Sequence, residues 1–130
     1  MAAGDLALNK PTMAKTEWPS LPARNATDGA YGTRWAGAAS VPEWLQVDLG
    51  KVHTIGRVKL SWEAAYANAY KIQVSDDGST WTPIYTTTTG NGGVDNLTDL
   101  NSSGRYIRVL ATQQVLDWAP SPWEFEVYGT

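Results

Sequence analysis

Residues 25–35, NATDGAYGTRW, concentrate oxygen atoms of the kinds that bind a divalent cation. Asp28 supplies a carboxylate, Thr33 supplies a hydroxyl and a carbonyl, and two glycines between them allow sharp bending. Ca²⁺ takes about six to eight oxygen ligands of this mixed type. One carboxylate is too little charge for a firm site, and the sequence alone does not say where a second one lies. Asp28 could instead form an Asx turn.

The same segment begins with NAT, which is also an N-glycosylation sequon, and NLT (96–98) and NSS (101–103) are two more. A glycan on Asn25 would crowd the proposed cation loop. We therefore favour a loop whose Asn25 carries no glycan.

Aromatic residues form the second group with chemical potential, since the chain has seven Trp and six Tyr but one Phe. Trp and Tyr combine a flat apolar face with a polar group, which suits an amphipathic ligand. Trp18 (KTEWPSLP) and Trp118 (VLDWAPSP) each follow a carboxylate in a Pro-rich segment. We expect both on the surface, although either could cover the end of the core. Core packing is favoured for Trp35, Trp44, Trp81 and Trp123.

The composition predicts a single folded domain over residues 1–130, with 42% hydrophobic and 18% charged residues. The net charge is −3 and the ten Lys and Arg are scattered, so no nucleic-acid partner is expected. Without Cys the chain has no disulfide, thiolate metal site or thiol nucleophile. No apolar run approaches the roughly 20 residues of a membrane-spanning helix.

The elements that must position these groups are strands. Apolar and polar residues alternate in four segments, WLQVDLG (44–50), YKIQVS (70–75), RYIRVL (105–110) and WEFEVY (123–128). Residues 54–62 and 81–86 are apolar enough for two more strands, and Gly- and Asn-rich clusters separate the segments. This pattern predicts an all-β antiparallel sandwich, in which Glu124 occupies the polar face of the last strand.

One stretch does not fit the alternation. WEAAYANAY (62–70) is rich in Ala, and Trp62, Tyr66 and Tyr70 recur at nearly helical spacing. Nine residues are too few for a stable isolated helix. We interpret the stretch as a loop between strands with at most one helical turn.

Seven segments occur in the order of a known family: LALNKPT, NATDGAYGTRW, PEWLQVDLG, IGRVKLSWE, YKIQVSDDGSTW, GRYIRVLATQ and WEFEVYG. From about Leu6 to Gly129 the chain resembles the discoidin, or coagulation-factor C-type, domain. Within that superfamily it is most similar to the family 32 carbohydrate-binding modules of secreted bacterial glycoside hydrolases. The resemblance implies an eight-stranded antiparallel jelly-roll β-sandwich with the ligand site in loops at one end.

The resemblance also implies a structural calcium ion held between the NATDGAYGTRW loop and the last strand. Its ligands would be the Asn25, Ala30 and Trp123 carbonyls, the Thr33 hydroxyl and carbonyl, and the Asp28 and Glu124 carboxylates. The alternation places Glu124 where its side chain could reach the loop, which agrees with this ligand set. Glu124 could instead be a solvated strand carboxylate.

The resemblance implies a sugar as the ligand, with aromatic faces packing on its C–H surfaces and a few polar groups reading its hydroxyls. The predicted ligand-binding residues are Glu17, Trp18, Arg34, Glu63 and Trp118. Arg34 could instead form a salt bridge, and either Glu could be a solvated surface charge. His53, the one histidine, is expected at the surface outside the site.

SWEAAY and SPWEFEVYG are similar to modules of chitosanase- and β-glucanase-type enzymes, some of which bind chitosan. An acidic site suits the cationic amine of glucosamine, so chitosan is the favoured ligand, with neutral β-glucan or galactosides as alternatives. The implied partner is a parent catalytic domain in the same secreted polypeptide, and an isolated module is expected to be monomeric.

Two other function classes are disfavoured. Glu17 and Glu63 could in principle be a glycosidase pair, but a small sandwich has little room for a deep cleft, and no nucleophile motif is present. The chain is therefore not expected to be an enzyme. Lipid-binding discoidin domains use apolar spikes, and here Glu17 and Asp117 beside the tryptophans would repel anionic headgroups.

Overall fold

A computed structural model of the chain describes residues 4–130. The first three residues of the predicted single domain lie outside the described residues. The described part consists of strands and one short 3-10 helix, Ala23–Thr27. The strands are β1 (Thr12–Ala14), β2 (Glu43–Trp62), β3 (Ala67–Ser75), β4 (Thr82–Thr87), β5 (Val94–Leu97), β6 (Ser102–Gln114) and β7 (Pro122–Gly129).

β2 runs through both halves of the sandwich. Its first half pairs with β1 and β6, and its second half pairs with β5 and β7; every pairing in the sheet is antiparallel. The sequence predicted two strands here, 44–50 and 54–62, whereas the structure joins them. Gly50, at φ 92°, and a register irregularity between Asp48 and His53 provide the bend.

The core confirms the period-2 pattern. Leu45 and Val47 from the first half of β2 and Val58 and Leu60 from its second half are all completely buried. They belong to one hydrophobic cluster with residues of the other long strands, including Ile72, Ile107, Val109, Phe125 and Val127. No helix in residues 4–130 has the length and apolar character needed to cross a membrane.

The interpretation of residues 62–70 as a loop is wrong at both ends. Trp62 ends β2, and β3 begins at Ala67, so only residues 63–66 connect the strands. Ala67 and Ala69 are both buried in this strand, and Ala67 belongs to the hydrophobic core cluster. Tyr70, also buried, donates a hydrogen bond from its hydroxyl to Asp95 Oδ2 at 2.6 Å. Strand β5, which contains Asp95, was not predicted.

Trp44 and Trp81 are not core residues as predicted. Both are half-buried, and their rings lie 5.8 Å and 4.2 Å from the Arg108 guanidinium, which is between them. Arg108 donates a hydrogen bond from Nε to Gln73 Oε1 at 2.6 Å. Trp44 alternates with the buried Leu45 and therefore faces outwards. The core prediction is also wrong for Trp123, which is half-buried and outside the core cluster. Trp35 does pack in the core, with 1% of its surface exposed.

Candidate functional site

Four loops meet at one end of the sandwich and enclose a pocket of about 350 Å³. The loops are residues 15–22, 28–42, 63–66 and 115–121. Pockets for small ligands are roughly 300–1,000 Å³, so this one is at the small end of that range. Five of the residues that line the pocket are Ala or Gly, and their small size helps to keep it open: Ala36, Gly37, Ala64, Ala65 and Ala119.

Four of the five side chains predicted to bind ligand line this pocket, namely Trp18, Arg34, Glu63 and Trp118. The two tryptophans are exposed, as the sequence predicted, with 45% of Trp18 and 68% of Trp118 accessible. Large apolar surface at the rim of a pocket is typical of a binding site. The structure thus brings two indoles, a guanidinium and a carboxylate together from four separate loops.

Arg34 lines the pocket, and contacts with two neighbouring residues fix the orientation of its guanidinium. Its Nη1 donates a hydrogen bond to Ser121 Oγ at 2.7 Å, and its guanidinium lies 5.8 Å from the centre of the Trp123 ring. The one ion pair found in residues 4–130 joins Arg105 to Asp48, so the alternative role of Arg34 in a salt bridge is not observed. Its remaining N–H groups can donate to a ligand.

Ser121 is a site residue that sequence reasoning missed. Its side chain is buried, and its hydroxyl donates to the Trp35 carbonyl at 2.6 Å while accepting from Arg34. Its backbone bonds the 63–66 loop, since its N–H donates to the Ala65 carbonyl and its carbonyl accepts from the Glu63 N–H. Ser121 therefore holds Arg34 and the Glu63 backbone in place together. A single Ser between two prolines carries no sequence signal for this role.

Glu63 directs its carboxylate back onto its own loop. Its Oε1 accepts a hydrogen bond from the Ala65 N–H at 2.6 Å, and the side chain is half-buried. Within residues 4–130, its second oxygen, Oε2, has no hydrogen bond from protein. One carboxylate oxygen thus fixes the side chain while the other remains available to a ligand.

The structure does not bring Glu17 into the pocket. Its Oε1 accepts a hydrogen bond from the Ala23 N–H at 3.0 Å, and its side chain lines a different depression together with Lys10 and Arg24. Adjacent side chains on extended backbone point to opposite sides. With Trp18 lining the pocket, Glu17 faces away from it.

The predicted cation loop brings several oxygens together around the Thr33 hydroxyl. Thr33 Oγ1 lies 2.6 Å from Asp28 Oδ2, 3.3 Å from the Ala30 carbonyl oxygen and 3.4 Å from the Asn25 carbonyl oxygen. A hydroxyl carries one proton and can donate to one of these acceptors at a time. The convergence therefore leaves lone pairs without donors, which fits a bound cation.

Glu124 faces this loop from β7. Its Oε2 accepts a hydrogen bond from the Gly29 N–H at 2.9 Å, while its Oε1 is buried without a hydrogen-bond partner among the described residues. Gly29 has φ 79°, and a Cβ there would lie 3.0 Å from a Leu8 methyl, so this position requires glycine. Trp123, the neighbour of Glu124, has no partner residue on β2, because β7 pairs through Glu124 and Pro122 on either side of it. This is the position of the extra residue in a β-bulge, which takes no part in the strand pairing.

Glu124 is not a solvated strand carboxylate, the alternative to its role as a cation ligand, because Glu124 and Glu126 are both buried, at 1% and 2% exposure. The loop and the N-terminal segment cover this side of β7, with the Tyr31 hydroxyl donating to Glu126 at 2.7 Å. Burial, together with the nearby Asp28 carboxylate, raises the pKa of Glu124 to about 9. The Asx turn, which was the alternative role of Asp28, is present in this structure, with the Ala30 N–H donating to Asp28 Oδ1 at 2.9 Å.

Comparison with known proteins identifies this arrangement. Residues 9–125 match the sequence profile of the F5/8 type C domain. The chain belongs to this family. The resemblance to discoidin domains is thereby confirmed, and the all-β sandwich agrees with it.

Two solved structures are similar to this F5/8 type C domain over nearly their whole length. Chitosan-binding module 1 from a chitosanase/glucanase of Paenibacillus sp. IK-5 is 48% identical, with 96% of this chain and 98% of that chain covered and a TM-score of 0.92. Chitosan-binding module 2 of the same enzyme, solved with chitotriose, is 46% identical, with 96% and 100% covered and a TM-score of 0.92.

A similar domain occurs as a small part of a much longer curated relative. A polysaccharide lyase 8 family protein, HylA, of Enterococcus faecalis is 30% identical over 109 residues, which are 84% of this F5/8 type C domain. The matched part is 8% of that protein, so this chain spans a small fraction of its length.

Proposed function

We propose that this F5/8 type C domain is a non-catalytic carbohydrate-binding module whose ligand is chitosan. One observation carries the proposal: Glu63 and Arg34 line the same pocket as two exposed indoles, those of Trp18 and Trp118. The 48% identity to a chitosan-binding module supports this choice of ligand. The parent protein would be a secreted bacterial glycoside hydrolase, with the module as its monomeric targeting domain.

The pocket chemistry suits glucosamine. An exposed indole offers apolar surface to the C–H faces of a pyranose. The available oxygen of Glu63 can accept a hydrogen bond from the sugar ammonium, and a charge-assisted bond of this kind contributes roughly 1.5–3 kcal/mol. Arg34 can donate hydrogen bonds to sugar hydroxyl oxygens through the N–H groups that do not bond Ser121.

Isothermal calorimetry with chitosan oligomers, laminarin and galacto-oligosaccharides tests the proposal. We expect measurable binding of chitosan oligomers and weaker binding of the two neutral ligands. Sedimentation with phosphatidylserine vesicles at low salt tests the lipid-binding class. Binding to the vesicles without binding to any of the sugars would overturn the proposal.

Glu63→Gln is expected to weaken binding of chitosan oligomers roughly tenfold, because it replaces a charge-assisted hydrogen bond by a neutral one in a partly exposed site. Binding of wild-type protein should also weaken between about 50 and 500 mM NaCl, since salt screens the ammonium–carboxylate contact. Calorimetry on both proteins measures this.

Asp76→Asn is the matched control for Glu63→Gln, because Asp76 is an exposed carboxylate beyond the far end of β3. It should bind chitosan oligomers like wild type. Equal affinities of wild type and Glu63→Gln, or no effect of salt on either, would show that Glu63 does not contact the ammonium.

We also propose that the loop 25–33 and β7 hold a structural Ca²⁺. The support is twofold: Glu124 Oε1 is buried without a hydrogen-bond partner among the described residues, and several loop oxygens converge on Thr33. Residues 4–130 contain no cluster of three or more His, Cys, Asp or Glu side chains suited to a metal. The proposed site would instead combine two carboxylates with carbonyl and hydroxyl oxygens, a donor set that Ca²⁺ accepts. Bound there, the ion would join the loop to the last strand.

The raised pKa of Glu124 gives this site a pH dependence. In cation-free protein, unfolded Glu124 ionises above its ordinary pKa of 4.5, whereas folded Glu124 keeps its proton up to about 9. The free energy of unfolding contributed by Glu124 is therefore fully present below about pH 4.5 and falls as the pH rises towards 9, by at most about 1.4 kcal/mol per pH unit.

Urea unfolding in chelator between about pH 5 and pH 8 measures this loss of stability. Glu124→Gln cannot ionise and should show a flatter profile. Calcium requires the ionised carboxylate, so it should stabilise wild type more at pH 8 than at pH 5. A wild-type profile in chelator that rises with pH over this range would contradict the assignment.

A further inference from the structure

A second depression adjoins the candidate sugar pocket. It has a volume of about 210 Å³ and is formed by residues 37–40 on one side and residues 117–119 on the other, together with Trp18. Four residues belong to both cavities: Trp18, Gly37, Trp118 and Ala119. The two cavities are therefore neighbours across the tryptophans, and both have indole surface in their walls.

The walls of this second depression are tied together by one side chain. Gln114, half-buried at the end of β6, accepts a hydrogen bond at Oε1 from the Val41 N–H at 2.9 Å. Its Nε2 donates to the Leu116 carbonyl at 2.9 Å and is 3.3 Å from the Trp118 carbonyl oxygen. The amide thus links the loop that follows Gly37 to the loop that carries Trp118, and it fixes the spacing between them.

The floor of the depression is open because its residues are small. Ala38 and Ala39 are exposed, and Gly37 packs so closely that a Cβ would lie 3.0 Å from Glu43 Cδ and 3.1 Å from Ala119 Cβ. Among residues 4–130, no side chain fills the space between the two walls. A pyranose ring could enter without displacing a side chain.

The chemistry of the depression repeats that of the first pocket. Asp117 is exposed, lies next to Trp118 in sequence, and its carboxylate accepts no hydrogen bond within residues 4–130. The depression thus places a carboxylate that has no hydrogen bond from the described residues beside indole surface. In the first pocket, the available oxygen of Glu63 lies near the same tryptophans. A chitosan chain repeats its ammonium on successive sugar units, so adjoining cavities of like chemistry match adjoining units.

We propose that this depression is a second sugar subsite, which takes the next glucosamine unit of the chain bound in the first pocket, with Asp117 accepting from its ammonium. This inference depends on the proposed chitosan binding. It makes the site one that recognises an oligosaccharide rather than a single terminal sugar, and it assigns Gln114 the role of positioning both walls.

Calorimetry of wild type and Asp117→Asn with glucosamine and with its tetramer tests the subsite. Wild type should bind the tetramer more tightly than the monomer. Asp117→Asn should bind the tetramer roughly three- to fivefold more weakly, the size expected for one exposed charge contact, and the monomer unchanged. Asp117 is exposed, so melting curves should confirm an intact fold in the variant. Asp76→Asn is the control and should match wild type for both ligands.

The N-acetylated tetramer lacks the ammonium, so Asp117→Asn should not change its affinity. Tetramer binding that is unaffected by Asp117→Asn, or weakened by the same factor as monomer binding, would overturn the subsite and leave the first pocket standing. Failure of wild type to bind any glucosamine oligomer would overturn the subsite and the proposed function together.

Discussion

Glu124→Gln is expected to abolish the rise in melting temperature that calcium gives to the wild-type protein. A ligand present at about 100 times its Kd stabilises a protein by about 2.7 kcal/mol. For a domain of this size, that corresponds to a rise on the order of 10 °C. The substituted side chain would lack the charge, and an amide oxygen is a weaker ligand than a carboxylate for Ca²⁺. Thermal melts with calcium and with chelator, on both proteins, measure the effect.

Glu43→Gln is the matched control for this experiment. Glu43 is also a completely buried glutamate with one oxygen, Oε1, that has no hydrogen-bond partner in the described chain, but it packs against Thr16 and Gly37, outside the cation loop. Its substitution should leave the calcium response intact. Wild-type melts that coincide in calcium and chelator, or a Glu124→Gln protein that still responds to calcium, would overturn the proposed calcium site.

Trp118→Ala is expected to weaken binding of chitosan oligomers by a factor of ten or more. Among the large apolar residues in 4–130, Trp118 exposes the largest fraction of its surface. It also lines both cavities, so it offers the most indole surface to a sugar. Covering apolar surface contributes roughly 25 cal/mol per Å², and about 60 Å² of indole covered by ligand gives the tenfold effect. Calorimetry measures the loss.

The stability of this variant separates lost contact from lost structure. Because Trp118 is 68% exposed, its truncation should change the free energy of unfolding by no more than about 0.5 kcal/mol. Trp118→Phe keeps an aromatic face and should retain part of the affinity. Met13→Ala, which removes an exposed apolar side chain on β1, should bind like wild type. If Trp118→Ala binds chitosan oligomers with full affinity, the Trp118 indole does not contact the sugar.

Several features could be predicted from local sequence because their physical cause is local. Alternation of apolar and polar residues identified most of β2, β3, β6 and β7, since successive side chains of a strand point to opposite faces. Proline and a neighbouring carboxylate indicated that Trp18 and Trp118 avoid the core, and both are exposed. The glycines around Asp28 indicated a tight loop, and Gly29 does adopt a positive φ.

Other features could not be predicted because they depend on what covers a surface. Alternation assigned Glu124 to the second face of β7, but only the packed loop and N-terminal segment make that face a buried one. The reverse holds for Trp44 and Trp81, which were predicted to lie in the core but are half-buried and pack on Arg108. The alanines of 62–70 suit a helix or a buried strand equally, and pairing of β3 with β6 decides between them.

The sequence by itself determined the residue types of the site: two tryptophans beside prolines, an arginine after the cation loop and a glutamate after β2. The tertiary structure decided which of them meet. Arg34, Glu63 and Trp118 lie far apart in sequence, and backbone pairing across β2, β6 and β7 brings their loops to one end of the sandwich. The tertiary structure also places Ser121 where it accepts a hydrogen bond from Arg34, and it directs Glu17 away from the pocket. Contacts between distant segments set these positions, and no local pattern encodes which segments pair.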